Sequence, residues 1–122
     1  MILADTCIWA DYIDRGDYSL AALLENGAVV THPFVVAEVL LGNLADRKMW
    51  KDQLARLPEF LPVRHSDVMA LIDAAELGGS GVGYVDAHLL AAVLARPGTA
   101  IWTRDKKLNR VAGELGVAFE PA

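Results

Sequence analysis

The sequence predicts an α/β fold: a three-layer α/β/α sandwich with a short central parallel sheet. Three observations predict it. Short apolar runs, "ILA", "AVVT" and "TAIWT", alternate with longer segments whose apolar residues recur at helical spacing. Strands separated by helices in this way imply a parallel sheet covered on both faces. No repeat, low-complexity tract or linker rich in Gly, Pro or Ser divides the chain, so residues 1–122 read as one domain.

Met1 to Ala4 suits a first buried strand, and "TCIWADYI" places Ile8, Trp9, Tyr12 and Ile13 on one helical face, giving helices over 7–15 and 18–26. A second strand over 28–31 ends at His32-Pro33, and Pro33 suits the first turn of the helix "PFVVAEVLLGNL". That helix yields at Gly42 or Asn43 to "RKMWKDQLARL", and "EFLPV" reads as a short third strand. "DVMALIDAAELG" and "VDAHLLAAVLAR" are further helices on either side of "GGSGVG". "TAIWT" is a strand, "DKKLNRVAGELG" a helix and "VAFE" a last short strand.

Composition limits the function classes. The chain has 122 residues and is 54% hydrophobic, enough for a real core. No apolar run reaches the ~18 residues of a membrane span, and the N-terminus lacks the features of a signal peptide, so a cytoplasmic location without membrane attachment is expected. The lone cysteine, Cys7, reads as a small buried hydrophobe. A net charge of −5 argues against holding nucleic acid by electrostatics alone. It leaves open a metal-dependent nuclease, which concentrates carboxylates to hold cations that then face the phosphate.

Four acids invite that reading. Active sites of parallel sheets gather at the carboxyl ends of the strands. Asp5 follows the first strand, and Asp105 follows "AIWT". Asp86 opens a helix after the glycine-rich turn. All three equally suit helix capping. Glu38 does not, because it lies in mid-helix among Phe34, Val35, Val36, Ala37, Val39, Leu40 and Leu41. A helix so apolar is expected to be buried, and a buried carboxylate needs a proton, an ion pair or a metal. The alternative places Glu38 on one solvated strip or beside a basic residue. Together, four carboxylates at close range need cations between them, and oxygen ligands alone indicate Mg²⁺ or Mn²⁺ rather than zinc.

These motifs together resemble the PIN domain, and within it the VapC-type toxins of bacterial toxin–antitoxin pairs. "ILADTCIWADYI" resembles the family's opening strand, with Asp5 and Thr6; "VVAEVLLG" its glutamate helix, with Glu38; "GVGYVDAHLLAAV" its third motif, with Asp86; and "IWTRDKKL" its fourth, with Thr103 and Asp105. The resemblance covers nearly the whole chain and departs from the family at Cys7, where many members carry Ser. It implies an endoribonuclease that uses one or two Mg²⁺ or Mn²⁺ ions, is held inactive by a cognate antitoxin and forms a homodimer. It further implies Asp5 and Asp86 as direct ligands, Glu38 and Asp105 as ligands directly or through water, and Thr6 and Thr103 as residues that orient them.

Other residues have two readings. Arg104, Lys106, Lys107 and Arg110 form a basic rim that either contacts RNA phosphates or is a solvated helix face. Trp50, near Arg47, Lys48 and Lys51, either stacks on a base or packs on a partner helix. His32, His65 and His88 are scattered, and packing or surface roles are expected of them. "GGSGVG" lacks the preceding strand of a dinucleotide-binding turn. A function of a different class also fits the motifs: a catalytically silent PIN-like module that binds RNA or protein and keeps its acids for capping.

Overall fold

Strand β1 (Ile2–Ala4) lies at the centre of a parallel sheet, between β2 (Val29–Val30) and β3 (Ala100–Trp102), in the computed structural model, which describes residues 1–121. Ile2 and Leu3 pair with Val29 and Val30, and Ile2, Leu3 and Ala4 with Ala100, Ile101 and Trp102. Successive side chains of a strand point to opposite faces. Leu3, Ala4, Val29, Val30, Ile101 and Trp102 are all buried, so both faces of the sheet are covered. Each large apolar side chain buried there contributes about 1.5–3 kcal/mol.

The remaining elements, among the described residues, are helices α1 (Thr6–Arg15), α2 (Ala21–Glu25), α3 (Pro33–Leu41), α4 (Arg47–Ala55), α5 (His65–Ala74), α6 (Tyr84–Leu94) and α7 (Lys106–Glu114). The segment expected as one helix over 18–26 is divided: a 3₁₀ turn at Tyr18–Leu20, capped by Asp17, precedes α2. Helix α5 stops at Ala74, short of the expected end, because Glu76 takes a left-handed backbone with φ 53°. Among the described residues no helix is long and apolar enough to cross a membrane.

Two expected strands shrink to single pairings at the sheet edges. In "EFLPV" only Glu59 bridges, to Thr31, through Thr31 N–H to the Pro58 carbonyl and Phe60 N–H to the Thr31 carbonyl, each 2.8 Å. Pro58 and Pro62 supply no N–H, which limits the ladder. In "VAFE", Ala118 bridges Ile101 in the same way.

All three strands run into helix starts. β1 leads to α1, capped by Asp5; β2 leads to α3, capped by His32; β3 leads to α7, capped by Asp105. Histidine is an unusual cap. Its Nδ1 accepts the Phe34 N–H at 3.0 Å, which places the ring proton on Nε2, buried without a partner. Burial, with His88 close by, pulls the His32 pKa down to about 4. The folded chain thus resists protonation that the unfolded chain accepts near 6.5. This contribution is complete above pH 6.5 and is lost as pH falls toward 4. A shift of this size corresponds to about 3 kcal/mol. Urea melts of His32→Asn, which can cap without titrating, should show a shallower loss of stability between pH 6.5 and 4 than the native chain. Parallel slopes would contradict the assignment.

Candidate active site

The carboxyl ends of β1 and β3 are adjacent, and the Asp5 N–H continues their ladder by donating to the Trp102 carbonyl at 2.9 Å. This brings Asp5 and Thr103 face to face. Asp5 is 8% exposed. Its Oδ1 accepts the Thr6 N–H at 2.8 Å, and its Oδ2 accepts the Thr103 hydroxyl at 2.8 Å. Thr103 Oγ1 in turn accepts the Asp105 N–H at 3.1 Å. Asp105 Oδ1 takes the N–H groups of Lys107 and Leu108, at 2.9 and 3.0 Å. Asp5 and Asp105 are therefore helix caps, and the capping leaves Asp105 Oδ2 free of these bonds.

Glu38 arrives from α3, where Thr6 Oγ1 donates to its Oε1 at 2.9 Å. The expectation that α3 is buried around its circumference is corrected: Ala37, Glu38 and Leu41 are exposed. The helix buries Val35 and Val39 and turns the apolar residues between them partly outward. Glu38 belongs with the other acids by position rather than by burial. Asp86 is the third residue of α6, not its cap; the cap position is Gly83.

Electrostatics ties the four together. Burial pushes the Asp86 pKa up to about 6, and the charges of Asp5, Asp105 and Glu38 push it the same way, against a bond from the Gly83 backbone. Like charges within reach of one another raise the pKa of the least solvated member. Among the described residues, none of the four acids has an ion-pair partner; the nearby Arg104 is held by Asp11 at 2.7 Å and Asp17 at 3.0 Å. No three of these carboxylates, among the described residues, are drawn together tightly enough to enclose a metal ion as they stand. Their chemistry nonetheless fits a hard divalent cation. The donors are oxygens, the negative charge lacks a countercharge, and Mg²⁺ keeps several waters and needs only one or two protein carboxylates.

The basic rim is engaged within the fold. Arg104 also lies over the Trp102 ring, at 5.6 Å from its centroid, and Arg110 donates to the Ser80 carbonyl at 3.1 Å. The Lys107 side chain crosses Gly81, where a Cβ would stand 2.4 Å from the lysine Cδ and where φ is +86°. Lys106 is exposed.

Sequence reasoning missed three features. Cys7 is half-buried against the core as expected, but its Sγ also accepts the Arg104 N–H at 3.4 Å and lies 3.7 Å from Thr103 Oγ1, so it lines the site as well. His65, Tyr84 and His88 form a chain, the Tyr84 hydroxyl lying 2.7 Å from His65 Nδ1 and 2.8 Å from His88 Nε2. The only signal for that chain was the i, i+4 spacing of Tyr84 and His88. The Arg104 tie to α1 had no local signal at all.

Known proteins are similar to this chain in sequence and fold. "Ribonuclease VapC32" of Mycobacterium tuberculosis, in strains CDC 1551 and H37Rv, is 40% identical over 119 residues, covering 98% of this chain and 96% of the relative. The fold is similar to a chain of the crystal structure of FitAcB from Neisseria gonorrhoeae, with TM-score 0.68 and 21% identity over 99% of this chain and 98% of that one. It is also similar to a chain of FitAB bound to an IR36 DNA fragment, with TM-score 0.65 and 20% identity over 99% and 95%. Residues 2–114, from the first strand to the last helix, match the PIN domain, and the chain belongs to that family.

Proposed function

We propose that this protein is a divalent-metal-dependent endoribonuclease, the toxin of a toxin–antitoxin pair, with its centre at Asp5, Glu38, Asp86 and Asp105. The observation that carries the proposal is the meeting of Asp5 and Thr103 at the adjoining ends of β1 and β3, with Asp105 bonded to Thr103 and Glu38 bonded to Thr6, which gathers these acids without a basic partner among the described residues. The name of the 40% identical relative supports RNA as the substrate. The cation proposed is Mg²⁺ or Mn²⁺, one or two ions, held first by Asp5 and Asp86, with Glu38 and Asp105 completing the set.

When bound, such a cation supplies the positive charge that activates water and stabilises the leaving oxygen of a phosphodiester. The chain's own residues hold the geometry. Thr103 fixes Asp5 Oδ2, and Thr6 fixes Glu38 Oε1, so that rotation of either carboxylate breaks a bond. The N-termini of α1 and α7 add partial positive charge at the same edge of the sheet. The reading is tested by RNA cleavage with and without added Mg²⁺ or Mn²⁺.

Lys106 and Lys107 are the proposed phosphate contacts, whereas Arg104 and Arg110 act mainly as ties within the fold. Arg104→Ala is therefore expected to cost up to about 1 kcal/mol in a urea melt, the range of exposed ion pairs. It should leave the salt dependence of RNA binding unchanged, while Lys106→Ala should reduce the slope by about one. The reverse pattern would make Arg104 the RNA contact. A homodimer and a cognate antitoxin complete the proposal. A cleft of about 550 Å³ lined by Trp9, Tyr12, Leu24, Met49 and Trp50 supports a protein partner with apolar side chains, and Leu41 and Leu61 are 85% and 88% exposed.

A further inference from the structure

Beside the acids lies an open cleft of about 270 Å³, between the glycine-rich turn and the facing parts of α5 and α6. Its apolar lining includes Ile72, Leu77, Val82 and Ala87, and Tyr84 forms one wall. Tyr84 is 49% exposed, yet its ring is fixed. The hydroxyl is held between His65 and His88, and the ring meets His88 edge-on at 4.7 Å between centroids. A half-exposed aromatic ring kept rigid is a stacking surface prepared before any ligand arrives. Two connections tie the cleft to the acids. Gly83, in the cleft's lining, has its backbone bonded to Asp86, and Lys107, which lies across Gly81 in the same lining, donates its backbone N–H to Asp105.

We propose that this cleft is a nucleobase subsite, taking one unpaired base of an RNA strand, stacked on Tyr84, while the phosphate beside that base lies at the four acids. The proposal rests on the ribonuclease reading and adds to it the single nucleotide that the chain grips next to the cut. Size favours a base, because the cleft is smaller than the roughly 300–1,000 Å³ of sites that enclose a drug-sized molecule. Charge favours a nucleotide over an apolar side chain of a protein: among the described residues Lys107 has no ion-pair partner, and its ammonium stands beside Gly81, where a backbone phosphate would neutralise it. Stacking accepts every base, since each has a π-face, so the subsite demands a base without naming one.

The test uses an oligoribonucleotide that the native protein cleaves, selected from a randomised pool, with one abasic residue placed in turn at each position flanking the cut. At one position the native protein should lose about tenfold in kcat/KM, as expected for a single stacked base. Tyr84→Ala should cut the intact oligonucleotide about as slowly as the abasic one, with no further loss at that position. Tyr84→Phe, which keeps the ring, should retain the abasic penalty. Gly78→Leu adds bulk to the cleft's lining at a position where a Cβ meets open space, and it should also erase the penalty. An abasic penalty unchanged in Tyr84→Ala and Gly78→Leu would overturn the subsite, as would a native protein indifferent to every abasic position. A cleft occupied by a protein partner gives that same result. Absence of cleavage across the whole pool, with metal present, is a separate outcome: the ribonuclease reading fails and the subsite with it.

Discussion

Asp86→Asn is expected to lose RNA cleavage by about 10²–10³-fold and, in the same protein, to raise the melting temperature of the metal-free fold above pH 6. The two effects have one cause. Burial and three neighbouring acids raise the Asp86 pKa from 3.8 to about 6. Below pH 4 the side chain is protonated in both the folded and unfolded states, and it costs nothing. As pH rises from 4 to 6 the unfolded chain ionises freely while the folded chain resists, so stability is lost over that window and stays lost above it. Asparagine is neutral throughout and avoids the penalty. The full shift corresponds to about 3 kcal/mol, and solvent around the partly exposed group reduces this to about 1–2 kcal/mol. The gain in melting temperature is then about 3–8 °C in EDTA at pH 7, vanishing by pH 4. Cleavage is expected to fall because a carboxylate of the proposed centre is gone. Thermal melts across pH and single-turnover rates check the two halves; a variant less stable than the native chain at pH 7 would contradict the shared cause.

The second large effect separates capping from catalysis at Asp5. Asp5→Ala removes the acceptor for the Thr6 N–H and for the Thr103 hydroxyl, which lies in buried surroundings. A lost cap costs about 1 kcal/mol, and an unpaired buried hydroxyl about 1–3 more. Asp5→Ala should therefore be less stable by about 2–4 kcal/mol. Asp5→Asn keeps a carbonyl oxygen for the cap and can turn its amide toward Thr103, so its cost should stay within about 1 kcal/mol. Both variants should lose cleavage by at least 100-fold, because neither offers a charged oxygen. Urea melts paired with cleavage rates distinguish the roles. If Asp5→Asn is well folded and still cleaves RNA, Asp5 is a cap and nothing more.

Much of this site is legible in the sequence because it depends on local rules. A short apolar run ending in Asp5, and another ending in Thr103 and Asp105, mark two strand ends, and parallel pairing of β1 with β3 places those ends side by side. Glu38 drew attention for a reason that does not hold. Its apolar neighbours suggested burial, but a nine-residue helix packing on one face leaves its other face open, and Glu38 lies there. His32 was illegible as a cap because an imidazole serves only when it is kept neutral, and that depends on burial supplied by the rest of the fold. Arg104 looked like a free cation since Asp11 and Asp17 are distant in sequence. Their approach is set by how α1 and the turn after it lie beside the residue that follows β3, which no spacing pattern encodes. The edge pairing at Glu59 lost length for a local reason that composition does carry, Pro58 and Pro62 on either side of it.

Glu38, like Asp86, caps no helix, and because it is exposed its loss should disturb folding little. Cleavage of a randomised single-stranded RNA pool, measured in EDTA, with Mg²⁺ and with Mn²⁺, for the native chain beside Glu38→Gln, tests the four-carboxylate centre most directly. The predicted result is cleavage by the native chain only when a divalent cation is present, and a rate at least about 100-fold lower in Glu38→Gln at unchanged melting temperature. Equal cleavage in EDTA, or a Glu38→Gln variant as fast as the native chain, would contradict the centre. RNA held but never cut with either cation would make the protein a silent binding module.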